Sequence, residues 1–292
     1  MKKVLLLGAT GMLGSAVYDV LKDKYGLILS VRDKNKIDLL DKAYGSVKEH
    51  KVVEFDVSFL YQDFLEKKGC PSDYLSNFLK DVGEVDYAIN AIGITIPFSL
   101  ENQALTFFIN SAFPHILAKI FGKKLIHITT DCVYNGKEDF PYDESSPKTP
   151  VDIYGLSKSL GEPTNCLTIR TSIIGRELEG FTGFLEWFLN QKEKSINGFA
   201  NHFWNGITTK QFGKICDEIM THPDEYPQTG LYHVFSDTMS KYEMLLKFKE
   251  KYNIDCEIKK DEEQKLNRTL STIHDFNKKL NIPSFDKMLE EL

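Results

Sequence analysis

The stretch KKVLLLGATGMLG, residues 2–14, decides the fold of this chain. An apolar run of strand character leads into Gly8, Gly11 and Gly14, which are spaced three apart, and residues 12–26 then carry apolar side chains at helical spacing. A strand, a glycine-rich turn and a helix in this order favour a diphosphate site. The glycines allow close backbone approach, and the helix N-terminus offers unpaired N–H groups. We therefore expect a nucleotide to bind at this turn.

Short apolar runs alternate with amphipathic segments along the first 175 residues. The predicted strands are 3–8, 27–32, 51–57, 85–93, 124–131 and 166–175, and the predicted helices are 12–26, 34–44, 59–68, 73–82 and 101–121. Strands that alternate with helices indicate crossover units and a parallel sheet covered on both faces. The sequence therefore predicts a doubly wound α/β domain of Rossmann type over residues 1–175.

The pattern changes after Gly175, and we expect residues 176–292 to form a smaller, mainly substrate-binding region, from which a strand or helix can return to the first domain. Its predicted elements are a helix at 183–191, an aromatic loop at 199–209, a helix near 210–221, a strand at 230–236, a helix at 240–252 and a charged helical tail. The charged run at 259–265 is expected to be solvated surface.

Composition excludes several classes of function. The formal net charge of -6 gives no electrostatic footprint for nucleic acid or an anionic membrane. We see no signal peptide and no apolar run of membrane-spanning length, so we expect a soluble cytoplasmic protein. The cysteines contain no C-x-x-C pair and the histidines show no metal spacing, so neither disulfides nor a metal site is expected. The cysteines are Cys70, Cys132, Cys166, Cys216 and Cys256.

The end of the second predicted strand reads LSVRDK and bears on the choice of dinucleotide. An acidic residue at this place binds the ribose 2′-hydroxyl, whereas an arginine neutralises a 2′-phosphate. Arg32 favours NADPH, and Asp33 directly after it keeps NADH as an alternative. A plain surface charge is the other interpretation of Arg32.

The segment YGLSK supplies a candidate catalytic pair, Tyr154 and Lys158. Residues four apart share one helix face, and an ammonium group beside a phenol is expected to lower the pKa of the phenol. Such a tyrosine can donate a proton to a carbonyl oxygen while hydride reaches the carbon. Thr130 ends the predicted strand 124–131, where its hydroxyl can hold the substrate carbonyl beside the tyrosine.

Together these segments resemble the extended short-chain dehydrogenase/reductases, and within them the dTDP-4-dehydrorhamnose reductase group. The glycine turn, NAIG at 90–93, TTDCVY at 129–134 and YGLSK at 154–158 occur in the family's order. FINSAFPHILAKI resembles the asparagine-containing helix of that group. The resemblance implies NAD(P)H-dependent reduction of the C4 keto group of a nucleotide-linked 4-keto-6-deoxy sugar, for deoxysugar and polysaccharide synthesis. A homodimer is an option, because dimers are common in this family.

The resemblance also implies roles for individual residues. Thr130, Tyr154 and Lys158 would be catalytic, with Tyr154 as proton donor. The cofactor would contact Gly8, Thr10, Gly11, Met12, Leu13, Gly14, Arg32, Asp56, Val57, Asn90, Ala91, Gly93, Tyr154 and Lys158. The substrate would contact Thr130, Asp131, Cys132, Tyr154 and Arg170.

The family includes other reactions, and the sequence bears on each of them differently. Sugar-nucleotide 4,6-dehydratases share a TDE motif whose glutamate is the base, and Cys132 stands in its place here. In GDP-fucose synthase, an epimerase-reductase, a cysteine lies two residues after the catalytic hydroxyl, as Cys132 does after Thr130. That enzyme also uses a histidine, and the sequence alone does not bring His202 to the site. A regulatory subunit of methionine adenosyltransferase has a similar fold, so a non-catalytic NADP-binding role is a further alternative.

Aromatic residues of the second region leave two interpretations open. Trp187, Phe203 and Trp204 could stack on a nucleotide base or cover the sugar, or they could form the core of the smaller region. The histidines His115, His127 and His233 lie in strand or helix patterns and are expected to be core or cap residues.

Overall fold

The computed structural model of the protein describes residues 1–67 and 72–292. The strands are β1 (Lys3–Leu7), β2 (Gly26–Val31), β3 (Lys51–Glu54), β4 (Tyr87–Asn90), β5 (Leu125–Thr130), β6 (Leu167–Thr171), β7 (Ile173–Ile174), β8 (Ser195–Trp204), β9 (Ile207–Thr208), β10 (Gly230–His233), β11 (Met239–Ser240) and β12 (Glu257–Asn267). All six strands predicted in the first 175 residues are confirmed, with shorter bounds.

The central sheet is parallel throughout, with the strand order β10-β6-β5-β4-β1-β2-β3. Apart from the added edge strand β10, this is the order of a doubly wound dinucleotide-binding fold, which confirms the predicted fold class. The order reverses between β1 and β4, and at that point a crevice opens beyond the carboxyl ends of the strands. Ligands of such sheets bind in this crevice.

The buried strand β1 shows how the sheet gains a core on each face. Val4 and Leu6 belong to one apolar cluster, while Leu5 and Leu7 belong to the other, as the two-residue period of a strand requires. All four side chains are 0% exposed, so hydrophobic burial on both sides stabilises the strand and explains its unbroken apolar sequence.

The helices cover both faces of the sheet. They are α1 (Met12–Leu21), α2 (Ile37–Tyr44), α3 (Val57–Glu66), α4 (Asp73–Val82), α5 (Gln103–Phe107), α6 (Phe113–Phe121), α7 (Ile153–Leu160), α8 (Phe184–Leu189), α9 (Thr209–Thr221), α10 (Lys241–Tyr252), α11 (Phe276–Lys279) and α12 (Phe285–Glu290). The helix predicted at 59–68 begins earlier, because Asp56 caps it, and its last residue lies outside the described residues. Cys70 also lies outside them, whereas Cys132, Cys166, Cys216 and Cys256 are free thiols.

A π-helical turn at Phe108–Ala112 joins α5 to α6. Within the described residues, the continuous helical stretch Gln103–Lys124 is long and apolar enough to cross a membrane by length and composition. The expectation that no run reaches that length is therefore wrong for this segment. Its Phe113 and Leu117 are 0% exposed and pack in the core beside the sheet, and this packing accounts for the apolar sequence.

Two sequence predictions for the second region are wrong. The aromatic segment predicted as a loop forms most of β8, and the charged segment predicted as a helical tail contains the strand β12. These strands pair in parallel, and β11 pairs with β8 on the other side, giving a small sheet. Backbone pairing over ten residues overrides the weak strand propensity of Asn, Gly, Lys and Glu. Most charged side chains of β12 are exposed, as predicted for residues 259–265, and charge is typical of an edge strand.

Residues after Gly175 also complete the first domain. Strand β10 pairs with β6 at the edge of the central sheet, and α9 packs against α1 through Gly213, whose added Cβ would lie 3.0 Å from Val20 Cγ2. The chain therefore returns to the first layer before it builds α10 and β12 of the second. This return brings the ends of the small sheet over the carboxyl edge of the central sheet.

Candidate active site

The glycine-rich turn leads directly into the N-terminus of α1. The Gly11 N–H donates to the Gly8 carbonyl at 3.1 Å, and the helix begins at Met12. A Cβ atom on Gly14 would lie 2.0 Å from the Gly8 carbonyl oxygen, so no larger residue fits this close approach. Among the described residues, no side chain caps α1 and no acidic residue stands in its first turn. Its free N–H groups fit a diphosphate.

Side chains along this turn face in different directions. Thr10 and Met12 are partly exposed beside the turn, whereas the Leu13 side chain is 6% exposed and packs in the core. Leu13 therefore offers only its backbone to a ligand at this turn.

The end of β2 lies beside the same turn, because the N–H groups of Gly8 and Ala9 donate to the Ser30 carbonyl at 3.1 and 3.0 Å. Arg32 follows and is exposed. The Asp33 carboxylate accepts the Asn35 N–H at 2.9 Å and so caps a short helical turn. Arg32 is thus the side chain of this pair that is available to a ligand phosphate.

At the end of β3, Asp56 and Val57 begin α3. The Asp56 carboxylate accepts the Ser58 N–H at 2.8 Å as a helix cap. The Val57 side chain is 3% exposed and packs in the core, so it cannot form a wall beside an adenine. The Val57 backbone and the partly exposed Asp56 are therefore the groups available to an adenine, and their contact with the cofactor stays a prediction.

The loop after β4 brings a second correction. Asn90 is 0% exposed, its amide oxygen accepts the Ile92 N–H at 3.1 Å, and its amide nitrogen lies 3.1 Å from His127 Nδ1. Asn90 therefore holds the backbone of the loop after β4 from the buried side and does not line the cleft. Ala91 is partly exposed and Gly93 is exposed, at the position predicted for the cofactor cleft.

Thr130 ends β5, and α7 carries Tyr154 and Lys158 to its side. A Cβ atom on Gly155 would lie 2.2 Å from the Cys132 carbonyl oxygen, so only glycine allows α7 to pack this tightly on the turn after β5. The Thr130 hydroxyl accepts the Cys132 N–H at 3.2 Å and lies close enough to the Tyr154 phenol to lower its pKa. The predicted threonine and tyrosine are therefore neighbours.

Lys158 lies under the cleft, 6% exposed, and its ammonium donates to the Ile128 carbonyl at 3.0 Å. A Cβ atom on Gly93 would lie 3.8 Å from Lys158 Nζ, so the ammonium faces the loop after β4. Burial lowers the pKa of Lys158 to about 8, while Glu162 opposes the shift.

The pKa of Tyr154 differs from the sequence expectation. Burial raises the pKa of the phenol, Cys132 adds to the rise, and the nearby Thr130 hydroxyl opposes it. The expected lowering by Lys158 is wrong for the protein's own environment, because desolvation disfavours the phenolate more than its neighbours favour it. At neutral pH the tyrosine is a protonated phenol, which is the form that can donate a proton.

Asn110 is a site residue that the sequence reasoning did not single out. It lies in the π-helical turn, where its amide nitrogen donates to the Ile94 carbonyl at 2.9 Å and to Ser157 Oγ at 3.1 Å. Its amide oxygen accepts the Ile94 N–H at 2.9 Å. Asn110 thus fixes the loop after β4 against α7. The signal was present in the asparagine-containing segment FINSAF.

The turn after β5 carries Asp131 and Cys132 directly after Thr130. Burial raises the pKa of the Asp131 carboxyl, and Arg268 and Lys241 oppose the rise. Burial also raises the pKa of the Cys132 thiol to about 12, with Asp131 adding to the shift. The thiol is therefore protonated at neutral pH.

Three nitrogen-bearing side chains, those of His202, Lys241 and Arg268, lie at one end of the small sheet, and Arg268 contacts this turn. The sequence did not identify them as one group. Arg268 donates through Nη1 to Cys132 Sγ at 3.4 Å and through Nε to the Tyr134 carbonyl at 2.9 Å. Lys241, the first residue of α10, acts electrostatically on Asp131 and Cys132. Burial lowers the pKa of His202 to about 4, with Lys241 and Arg268 adding to the shift, so the imidazole is neutral.

Arg170 does not belong to the cleft, and its predicted substrate role is wrong. The guanidinium is buried, with Nε and Nη2 donating to the Glu162 carboxylate at 2.9 and 2.7 Å. Its Nη1 contacts Tyr134 and lies 2.9 Å from His233 Nε2. An arginine whose three side-chain nitrogens all have buried protein partners stabilises the packing of β6 and is not available to a substrate in the cleft.

The two tryptophans of the second region have different environments, one in the core and one at the surface. Trp204 is 5% exposed and packs edge-on against Phe285, so it is a core residue. Trp187 is 40% exposed and stacks on Phe184 at 5.9 Å between ring centroids. The histidines His127 and His233 are fully buried, and both are hydrogen-bonded within the protein, as expected of core residues.

A Rossmann-type sheet with a glycine-rich turn, a strand-end threonine and a tyrosine-lysine helix defines an extended short-chain dehydrogenase/reductase. The chain belongs to the family described as RmlD substrate binding domain, whose model matches residues 73–275.

Individual relatives are more distant. A spore coat polysaccharide biosynthesis protein, SpsK of Bacillus subtilis, is 28% identical, over 80% of this chain and 73% of its own length. Methionine adenosyltransferase 2 subunit beta of Xenopus tropicalis is 22% identical, over 87% of this chain and 73% of its own length. The dTDP-4-dehydrorhamnose reductase of Bacillus anthracis, solved in complex with NADP, superposes with a TM-score of 0.66 at 18% identity, covering 99% of this chain and 98% of that one. At that identity the structural likeness shows the fold alone.

Proposed function

We propose that this protein is a cytoplasmic NADPH-dependent reductase that acts on the C4 keto group of a nucleotide-linked 4-keto-6-deoxy sugar. Its product would serve deoxysugar and polysaccharide synthesis, as the name of the Bacillus subtilis relative suggests for that protein. The observation that carries the proposal is the close packing of α7 on the turn after β5, which brings a protonated Tyr154 beside Thr130, one helical turn from Lys158, at the carboxyl edge of the sheet.

Each of these side chains has a defined task in a carbonyl reduction. The Thr130 and Tyr154 hydroxyls together hold the carbonyl oxygen, and Tyr154 gives its proton to the alkoxide as that oxygen becomes basic. Lys158, charged below pH about 8, stabilises the phenolate that the proton transfer leaves behind. Asn110 holds α7 and the loop after β4 in place, so that the phenol keeps its position.

The residues around the glycine turn fit a nicotinamide dinucleotide. NADPH, when bound, supplies the hydride. The free N–H groups at the start of α1 would hold its diphosphate, and exposed Arg32 would neutralise the 2′-phosphate. The bound NADP of the Bacillus anthracis reductase supports this choice for the present chain, and NADH is the alternative.

Cys132 argues against a dehydratase. Removal of a proton from the sugar carbon needs a base, and a thiol whose pKa is raised to about 12 is protonated at neutral pH. The cleft holds Asp131 next to Thr130, but this carboxyl is directed to the Thr130 hydroxyl and the Cys132 thiol, at 3.2 and 3.7 Å. Simple reduction requires neither group to act as a base.

The test is oxidation of NADPH, followed by nicotinamide absorbance, against dTDP-, UDP-, GDP- and CDP-linked 4-keto-6-deoxyhexoses. We expect turnover of at least one sugar and a loss of about a thousandfold in kcat for Tyr154→Phe, in the range of general acid catalysis. NADPH binding by the variant should be unchanged. No turnover by the wild type, with NADPH bound, would overturn the proposal and favour a regulatory subunit like the Xenopus relative.

An epimerase-reductase is a second candidate, because one observation favours it. The sequence did not bring His202 to the site. In the structure, Lys241 and Arg268 lower the pKa of the His202 imidazole, and the same two cations interact electrostatically with the Cys132 thiol. A neutral imidazole and a protonated thiol are a base and an acid that could exchange protons beside a ketone. Incorporation of solvent deuterium at C3 or C5 of the product, lost in Cys132→Ser, would establish this candidate.

A further inference from the structure

Two buried polar side chains of the central sheet, those of Asn90 and His127, are outside the catalytic motifs. Asn90 ends β4, and His127 is its direct partner on the neighbouring strand β5. Both side chains are 0% exposed. A buried polar group costs stability unless it is hydrogen-bonded, so the partners of these two side chains indicate what they do.

A chain of three contacts runs through these side chains. The Ile92 N–H donates to Asn90 Oδ1 at 3.1 Å, and Asn90 Nδ2 lies 3.1 Å from His127 Nδ1. On the other side of the ring, His127 Nε2 lies 3.0 Å from the Gly161 carbonyl oxygen. Ile92 belongs to the loop after β4, and Gly161 directly follows α7. The chain therefore connects that loop to the end of the helix that carries the tyrosine-lysine pair.

The backbone groups at the two ends fix the direction of each hydrogen bond. The Ile92 N–H can only donate, so it holds the amide oxygen of Asn90 and leaves the amide nitrogen to donate to His127 Nδ1. The Gly161 carbonyl can only accept, so the imidazole carries its proton on Nε2. His127 is therefore neutral, because a proton on Nδ1 would meet the Asn90 donor. Burial lowers the pKa of His127 well below its ordinary value, and Lys158 adds to the shift.

The end of α7 is packed so tightly that few other groups can hold it. Gly161 is buried, and a Cβ atom on it would lie 1.8 Å from the Asn110 carbonyl oxygen in the π-helical turn. A buried carbonyl at the end of a helix needs a donor from outside that helix. The ring of His127 supplies this donor from the sheet.

A second link joins the same loop to the same helix. The Asn110 side chain bonds both backbone groups of Ile94 and a serine hydroxyl of α7. Ile92 and Ile94 are therefore each anchored to α7, and Gly93 lies between them. A Cβ atom on Gly93 would lie 3.8 Å from Lys158 Nζ. The two links together determine how far the loop stands from the lysine.

We propose that His127 is a positioning residue, which holds α7 at a fixed distance from the loop after β4 through Asn90 and Gly161. The inference rests on the proposed function and deepens it. This distance keeps Lys158 opposite the loop and Tyr154 in place for the carbonyl. His127 touches neither the substrate nor the cofactor and acts only through the groups that it binds.

The experiment divides the two ring nitrogens of His127 between two variants. In His127→Gln the amide nitrogen takes the place of Nε2 and can still donate to the Gly161 carbonyl. In His127→Asn the amide is one methylene shorter, so it reaches Asn90 but not Gly161. We expect kcat to fall about 10- to 100-fold in His127→Asn, as for a displacement of up to about 1 Å, and to stay within about threefold of wild type in His127→Gln.

The reading of these variants separates positioning from mere stability. Turnover is measured well below the unfolding midpoint of each variant, and KM for the sugar should stay unchanged, since no sugar contact is removed. No loss of kcat in His127→Asn, or an equal loss in both variants, would overturn the proposal.

His115 provides a matched control, because it also binds the end of α7. Its Nε2 lies 2.8 Å from the Leu160 carbonyl oxygen, but the side chain is exposed on α6. His115→Asn removes a hydrogen bond to the carbonyl next to Gly161 and leaves the link to the loop intact, so its kcat should equal that of wild type. A loss as large as that in His127→Asn would overturn the role of the chain through Asn90.

A spectroscopic test needs no variant that folds. Nitrogen-15 chemical shifts of the His127 ring in wild type should show a proton on Nε2 and none on Nδ1 at every pH at which the protein is folded. A ring with its proton on Nδ1, or one that titrates near the ordinary pKa of histidine, contradicts the direction of the chain and overturns the proposal.

Failure of the proposed function gives a different result. Absence of turnover by wild type on every sugar of the panel, with NADPH bound, removes the reductase but leaves NADPH affinity as a measure of the distance between Gly93 and Lys158. His127→Asn should then bind NADPH about 3- to 10-fold more weakly than wild type, as for one weakened hydrogen bond, and His127→Gln should bind it as wild type does. Equal affinity of all three proteins would overturn the role of His127 as well.

Discussion

The two walls of the candidate cleft are built from different kinds of sequence. The motif wall consists of Thr130, Tyr154 and Lys158, which lie within 29 residues of one another on one strand and one helix. The small-sheet wall consists of His202, Lys241 and Arg268, which come together because β8 pairs with both β11 and β12. The first wall can be read as a short pattern, whereas the second exists only after strands far apart in sequence have paired.

The comparison indicates which part of the sequence determines the reaction and which part determines the preference for a substrate. The motif wall carries groups that every carbonyl reduction needs, a proton donor and its electrostatic support. The small-sheet wall carries polar groups that, under the proposed function, would face the rest of the substrate and could vary without changing the reaction. The following predictions test this division, from the largest expected effect to the smallest.

Gly155→Ala is expected to damage the motif wall most among these changes. The new Cβ would lie 2.2 Å from the Cys132 carbonyl oxygen, so α7 must move away and carry Tyr154 with it. A displacement of about 1 Å costs roughly 100-fold in rate, and we expect that loss in kcat/KM. Leu156→Ala, at an exposed position of the same helix, is the control and should retain full activity. Unchanged activity in Gly155→Ala would mean that the packing of α7 does not position the phenol.

Arg32→Ala tests the cofactor end of the motif wall. We expect NADPH affinity to fall about 10- to 100-fold, as for the loss of a charge-assisted bond to phosphate, with no change in NADH affinity. Fluorescence titration of the two reduced cofactors measures both. Lys34→Ala removes a neighbouring exposed charge and should have little effect. Equal losses for both cofactors would assign Arg32 a role unrelated to the 2′-phosphate.

The pH dependence of kcat/KM compares the two walls directly. Burial lowers the pKa of both Lys158 and Lys241 to about 8, so both are charged below that pH and lose their protons above it. At this end of the cleft the pKa of His202 is about 4 and that of Cys132 about 12, so both lie outside this range. Asp131, whose pKa burial raises, and Arg268 are the other ionisable groups there. The logarithm of kcat/KM should therefore fall above pH about 8 with a limiting slope of two protons, reduced to one in Lys241→Arg. An unchanged slope would mean that the charge of Lys241 does not contribute to kcat/KM.

Cys132→Ser has the smallest expected effect. If the protein is a simple reductase, the thiol moves no proton, and a serine of similar size should keep kcat/KM within about threefold. The measurement is turnover together with solvent deuterium in the product sugar. A large loss of product with deuterium at C3 or C5 would contradict this prediction and move the function to the epimerase-reductase.

Sequence patterns predicted the central sheet well because β1 and its neighbours are buried on both faces and read as apolar runs. They failed at β12, where the helix-forming residues of EIKKDEEQKLN adopt an edge strand that pairs with β8. They also misjudged Arg170, since a cation close to a predicted active site looks the same in sequence whether it faces the cleft or a buried Glu162.

The sequence by itself determined the class of this protein, because the glycine turn and the tyrosine-lysine helix are local and their chemistry follows from spacing along one element. Only the tertiary structure decided which further side chains line the candidate cleft. Asn90 turned from the cleft to the core, Arg170 entered an ion pair, and Arg268 came to contact Cys132. These outcomes depend on burial and on strand pairing between distant segments, which no local spacing records.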